Sequence, residues 1–174
     1  MRGVAILAVG GMALATAAAC GEPPAENGGT GAGATEYTAC MVTDLGGIDD
    51  RSFNASAWKG LEAAKAQNPS IKTRHTQSTA PADYVPNLTN FANQDCDFIL
   101  AVGGLMHDAT KEVAEANADK QFAIVDSSAP APNVYSMQFD TAQAAFLAGY
   151  LAAGMSKTGK VGTYGGMKIP PVTI

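Results

Sequence analysis

The chain has 174 residues, enough for one domain of ordinary size with additional tails but not for two complete lobes. Charged residues make up 16% of the sequence, and the formal net charge is -5. The 11 lysine and arginine residues are scattered rather than clustered. The chain therefore lacks the basic patch by which proteins bind nucleic acid or anionic lipid, and we expect no nucleic-acid partner.

The first 19 residues have the layout of a secretory signal peptide. An apolar run, Val4–Ala19, follows Arg2 and ends on small residues directly before Cys20. The alternative is a transmembrane helix, which requires about 20 strongly apolar residues. This run is shorter, rich in alanine and interrupted by two glycines. The sequence therefore predicts export, with residues 1–19 as the signal peptide.

Cys20 is the predicted lipidation site. The sequence Ala-Ala-Ala-Cys at 17–20 resembles a lipobox, although the commonest pattern has leucine where this chain has Ala17. Residues 21–36 are all polar, small, proline or glycine, so they cannot bury enough apolar surface to offset the entropy of ordering. We expect 20–36 to be a lipidated cysteine with a flexible tether. The expected location is the extracytoplasmic face of the cell membrane, held by a lipid anchor.

Cys40 and Cys96 would lie in an oxidising compartment, where disulfides persist. Each begins an apolar run that resembles a strand, and neighbouring parallel strands would bring the two together. A disulfide and two buried free thiols both remain open, because bridging depends on geometry. Cysteine and histidine residues do not have the spacing of metal ligands, so we expect no metal site and no cofactor.

From Tyr37 onward, short apolar strands alternate with helical patterns, which is typical of a parallel sheet with crossover helices. The predicted strands are 37–45, 70–77, 96–104, 121–126, 134–140 and 160–166, and the predicted helices are 53–67 with Ser52 as N-cap, 83–94, 107–119 and 141–156. The strand at 70–77 is the most polar, so we expect it near an edge. The fold class is α/β, a Rossmann-like open parallel sheet of five or six strands with flanking helices.

Two helices have apolar positions that we expect to face the core. In the helix at 107–119 these are Ala109, Val113 and Ala116, which share one face. In the long apolar helix at 141–156 we expect core positions at Phe146, Tyr150 and Leu151.

Several chemically useful residues directly follow apolar strands. Asp44 ends the first strand, the glycine pair at 103–104 ends the third, and Asp126 ends the fourth. In open sheets of this kind, ligands bind at the carboxyl ends of the strands, where the strand order reverses. Asp126 either contacts a ligand there or caps the turn formed by 127–133.

The segment from Asp44 to Asn54 carries the groups needed to recognise a flat, neutral molecule. Carboxylates accept hydrogen bonds from hydroxyl or ring N–H groups, and Ser52 and Asn54 add a hydroxyl and an amide. Phe53 can stack on the face of a ring. The alternative is structural: Asp44 would cap the turn, and Phe53 would fill the core beside Trp58.

We expect no enzymatic activity. A serine in a nucleophile elbow is absent from the sequence, and neither histidine has a partner at a spacing that suggests a catalytic triad. The glycine pairs lack the further spacing of dinucleotide-binding or phosphate-binding loops.

Three stretches of the chain resemble the basic membrane protein family of purine nucleoside receptors: VTDLGGIDDRSFNASAWKGL, FILAVGGLMHDATKEVAEANADKQFAIVD and VYSMQFDTAQAAFLAGYLAAGMSKTGKVGTYGGMKIPPV. The resemblance implies a type I periplasmic-binding-protein fold, in which two α/β lobes close on a nucleoside and deliver it to an ABC permease. It also implies that Phe53 stacks on the purine and Asp44 contacts the ligand. Ser52 and Asn54 would lie in the same loop, and Asp126 at the cleft.

By this resemblance, residues 37–160 form the N-terminal ligand-binding lobe, and residues 161–174 begin a second lobe that this chain does not complete. We therefore expect a substrate-binding lipoprotein of an ABC importer, apparently truncated, that captures a nucleoside, with purines favoured. The alternative is an extracytoplasmic lobe that senses a ligand for signalling rather than for transport.

Overall fold

The computed structural model describes residues 35–173, apart from the side chain of Pro170. The predicted signal peptide, Cys20 and all but the last two residues of the tether lie outside the described residues. The strands are β1 (Tyr37–Thr43), β2 (Ile71–Gln77), β3 (Phe98–Val102), β4 (Gln121–Val125) and β5 (Val134–Met137). The helices are α1 (Phe53–Gln67), α2 (Tyr84–Ala92), α3 (His107–Ala116), α4 (Thr141–Met155) and α5 (Pro170–Thr173).

The described strands form one parallel sheet in the order β2-β1-β3-β4-β5. The α/β class with a parallel sheet and flanking helices is confirmed, and the polar strand β2 lies at an edge as predicted. A sixth strand at 160–166 was expected and is wrong. In the described part of the chain these residues pair with no strand, so an extended segment there has no ladder to complete.

Helices cover both faces of the sheet. On one face, α2 and α3 enclose a core that includes Val42, Leu88, Ile99 and Phe122. On the other face, Met41 and the alternate residues of β3 and β4 pack against α1. Buried parallel strands covered on both faces are the reason that these segments read as continuous apolar runs in the sequence.

The core-facing side of α3 differs from the prediction by one position. Ala109 and Val113 are buried as expected, but Ala116 is exposed, and Thr110 and Ala114 are buried instead. Positions 109, 110, 113 and 114 follow the 3.6-residue period, whereas position 116 lies off this stripe near the end of the helix.

The expectation that α4 buries its large apolar residues is wrong for this structure. Phe146, Tyr150 and Leu151 are exposed to 71%, 77% and 65%. The helix is apolar on every side, which indicates burial without indicating the neighbour. None of the described elements covers these three side chains. Within residues 35–173, no helix is both long enough and apolar enough to cross a membrane.

A disulfide joins Cys40 and Cys96, with the two Cα atoms 6.0 Å apart. Cys40 lies in β1, and Cys96 lies two residues before β3, the strand beside β1. Both cysteines are fully buried in the core beneath α2 and α3. The bridge therefore ties the start of β3 to the central strand of the sheet.

Candidate functional site

The candidate site lies where the strand order reverses. From β1 the chain crosses to β2 on one side, and from β2 it returns to β3 on the other side of β1. The connections leaving β1 and β3 therefore diverge at their carboxyl ends, which opens the crevice in which such sheets bind ligands. Asp44 directly follows β1, and Gly103 directly follows β3.

Asp44 is held in place by two hydrogen bonds to one carboxylate oxygen. The backbone N–H of Gly46 donates to Asp44 Oδ1 at 3.1 Å, and the side-chain amide of Asn54 donates to the same atom at 2.8 Å. The second oxygen, Oδ2, is close to Gly103. Because Asp44 is half-buried, this arrangement leaves part of a fixed, acidic acceptor at the crevice.

Asn54 lies behind Asp44 and not on the open surface, since its side chain is only 1% exposed. Its amide oxygen has no hydrogen-bond partner among the described residues. The residue was predicted to contact the ligand, and in this structure it orients Asp44 instead. A buried amide with one satisfied side makes the Asp44 contact costly to lose.

Gly103 lets Asp44 approach the end of β3. Its φ of 110° lies in the region that favours glycine. A Cβ atom at this position would lie 2.6 Å from Asp44 Oδ2. The glycine is therefore required by the close packing of β3 against the Asp44 carboxylate.

The turn before α1 is capped by Asp50. Its carboxylate accepts hydrogen bonds from the backbone N–H groups of Ser52, Asn54 and Ala55, at 2.7 to 3.0 Å. Burial acts to raise the pKa of Asp50, but these bonds from Ala55, Ser52 and Asn54 outweigh it and lower the pKa. Ser52 occupies the N-cap position as predicted, yet its hydroxyl makes no capping bond to the described backbone and is exposed. The cap is supplied two residues earlier than expected.

Phe53 begins α1 and is 42% exposed, so it does not fill the core. Its ring lies 5.5 Å from the ring of Phe139, with the planes tilted by 49°. Trp58 packs instead against His75, with ring centroids 4.6 Å apart. The structural alternative for Phe53 is therefore wrong, and an aromatic face remains open at the start of the helix.

Asp126 lies at the end of β4, beside a pocket. Its φ of 60° is left-handed, which turns the chain sharply after the strand. Burial raises the pKa of its carboxyl above the ordinary value. The pocket is lined by Asp126, Ser127, Ser128, Gln138, Phe139, Thr141 and Pro171.

The described residues link the predicted site residues through a chain of contacts. Asp44 contacts Gly103 at the end of β3, and the adjacent Gly104 lies against the backbone oxygen of Asp126. Phe53 reaches the Asp126 pocket through Phe139, which lines it. The carboxyl ends of β1, β3, β4 and β5 thus contribute to one surface.

Sequence reasoning missed the residues that follow β5. Gln138, Phe139 and Thr141 line the pocket, although only the ends of the first, third and fourth strands had been singled out. The same strand-end rule, applied to the fifth strand, would have found them. The 35–173 region contains no group of three or more histidine, cysteine or acidic residues placed to hold a metal ion.

Comparison with known proteins agrees with this geometry. A family model described as "ABC transporter substrate-binding protein PnrA-like" matches residues 37–173. The chain belongs to this family. The resemblance to basic membrane proteins is thereby confirmed.

Curated relatives carry related names. The chain is 36% identical to the "ABC transporter nucleoside-binding protein BmpA" of Lactococcus lactis subsp. cremoris, over 99% of this chain and 50% of that protein. It is 41% identical to a "CD4+ T-cell-stimulating antigen" of Listeria monocytogenes, over 76% of this chain and 39% of the relative. It is 33% identical to "Basic membrane protein A" of Borreliella burgdorferi, over 80% of this chain and 42% of the relative.

A solved structure supports the fold. A solute-binding protein of an ABC transporter system from Aeropyrum pernix K1 is 27% identical and superposes with a TM-score of 0.67, over 78% of this chain and 39% of that one. The chain thus spans about half, or less, of the length of the relatives it matches.

Proposed function

We propose that this chain supplies a ligand-binding lobe of an ABC importer's substrate-binding lipoprotein, and that it captures a nucleoside, with purines favoured, for delivery to the permease. The Cys20 lipobox and the signal-like segment before it support attachment to the extracytoplasmic face of the cell membrane. The family of substrate-binding proteins and the name of the Lactococcus relative support the ligand class.

The observation that carries the proposal is the pairing of a fixed acceptor with an open aromatic ring. Asp44 is anchored by Asn54 at 2.8 Å, and Phe53 begins the helix that also carries Asn54. A nucleoside combines a flat base, which can stack, with hydroxyl and ring N–H groups, which donate to carboxylates. Asp126 provides a second carboxylate near the aromatic pair, beside hydroxyl and amide groups.

The arrangement suits binding without chemistry. Asp44 is engaged in two hydrogen bonds that hold it as an acceptor, and Asp50 is occupied by the cap of α1. A second lobe, which the family resemblance implies, would cover the face of the base that these residues leave open.

Titration calorimetry of the purified protein with inosine, guanosine, adenosine, cytidine and uridine tests the proposal. We expect measurable binding, tighter for the purine nucleosides because their larger rings offer more stacking surface. Phe53→Ala should weaken it roughly 5- to 150-fold, since base–aromatic stacking contributes about 1–3 kcal/mol. Tyr135→Ala is the matched control, because Tyr135 is an exposed aromatic residue on β5 that does not line the pocket. Unchanged affinity in Phe53→Ala would refute the stacking role.

A further inference from the structure

We infer that Phe139 is a second aromatic residue of the binding site, which positions Phe53 and forms with it one continuous surface for the base. This inference rests on the nucleoside function proposed above and adds a residue to that site. Phe139 comes from the far side of the sheet, two residues after β5, whereas Phe53 follows β1 in the chain.

The two rings are arranged as a stabilising aromatic pair. Their centroids are 5.5 Å apart and their planes are tilted by 49°, within the separation of about 4.5–7 Å at which aromatic pairs attract each other. Phe53 is 42% exposed and Phe139 is 52% exposed. The contact therefore orients each ring while leaving about half of each side chain open to a ligand.

The backbone around Phe139 is held by hydrogen bonds. The N–H of Thr141 donates to the carbonyl oxygen of Phe139 at 2.9 Å. The carboxylate of Asp140 accepts from the N–H of Gln143 at 3.2 Å and caps α4. Because the residues on its carboxyl side are fixed in this way, Phe139 can act as a support for the ring at the start of α1.

Phe139 also joins the aromatic part of the surface to the polar part. It lines the pocket that contains Asp126, Ser127, Gln138 and Thr141. These side chains offer carboxylate, hydroxyl and amide groups to a ligand. A molecule that stacks on the two rings would place polar substituents beside this pocket, which matches a flat base bearing a hydroxylated sugar.

The test is a set of variants measured by calorimetry with the tightest-binding nucleoside. Phe139→Leu keeps an apolar side chain and removes the aromatic face, so we expect a roughly 2- to 10-fold loss of affinity. Phe139→Tyr keeps the ring and should stay within about twofold of the wild type. Tyr135→Ala again serves as the distant aromatic control, and thermal unfolding checks that each variant remains folded.

A double variant separates positioning from simple packing. If Phe139 acts together with Phe53, adding Phe139→Leu to Phe53→Ala should weaken binding less than it does in the wild type, because the pair is already broken. Equal losses in both backgrounds, or wild-type affinity in Phe139→Leu, would overturn the inference while the nucleoside function stands if Phe53→Ala still weakens binding. Absence of nucleoside binding by the wild type would overturn both proposals together.

Discussion

Replacing Gly103 by alanine should damage both stability and the Asp44 site. An alanine at a φ of 110° is strained, and its Cβ would lie 2.6 Å from Asp44 Oδ2. The carboxylate must move by about 0.8 Å to reach the ordinary contact distance of 3.4 Å. That movement disrupts its bonds to Gly46 and Asn54, at 3.1 and 2.8 Å.

The expected loss combines two effects. Backbone strain costs about 1–3 kcal/mol, and a buried amide that loses its partner costs about 1–3 kcal/mol more. Because the Asn54 oxygen already has no partner among the described residues, losing the amide donor's contact would leave the whole group unsatisfied. We expect Gly103→Ala to lower the free energy of unfolding by about 2–4 kcal/mol.

Urea unfolding followed by circular dichroism measures this loss. Gly149→Ala is the matched control, because Gly149 lies within α4 and no described atom is within 4 Å of the added Cβ. That control should raise the free energy of unfolding by up to about 1 kcal/mol through helix propensity. A change below about 0.5 kcal/mol in Gly103→Ala would show that Asp44 is not held by close contact with β3.

Two further predictions concern stability. The disulfide between Cys40 and Cys96 has a sequence separation of 56, for which loop-closure entropy predicts a loss of about 4 kcal/mol in the double alanine variant; urea unfolding should become insensitive to dithiothreitol in that variant, and equal sensitivity would contradict the bridge. Burial raises the pKa of Asp126, so the stability that its protonated form contributes is present below the ordinary value of 3.8 and is lost as pH rises through the higher folded value. Asp126→Asn, which also tolerates the φ of 60°, should therefore melt at a higher temperature than the wild type at pH 7 and at a similar temperature near pH 3, and a difference that is independent of pH would refute this cause.

Much of the architecture could be predicted because parallel strands buried on both faces leave continuous apolar runs. The edge position of β2 followed from its polar residues, and the importance of Asp44 and Asp126 followed from their places at strand ends. Helix α1 was also predicted with its observed bounds, since Asn68 and Pro69 mark its end.

The errors occurred where a local pattern has more than one tertiary outcome. An apolar helix such as α4 indicates that it can be buried, but periodicity does not identify the surface that covers it. The segment at 160–166 has strand-like residues, yet a strand exists only when a neighbour accepts its hydrogen bonds. At α1 the cap was assigned to the nearest hydroxyl, whereas Asp50 reaches the same N–H groups from two residues upstream.

The sequence by itself determined the α/β class, the alternation of strands and helices, and the chemical groups available at the strand ends, because these depend on neighbours along the chain. Only the tertiary structure decided that Asn54 would be buried behind Asp44, that Gly103 would make room for that carboxylate, and that Phe139 would meet Phe53. Phe53 and Phe139 are 86 positions apart in the printed sequence. Their contact depends on the strand order and twist of the sheet, which set the distance between chain segments that no local pattern relates.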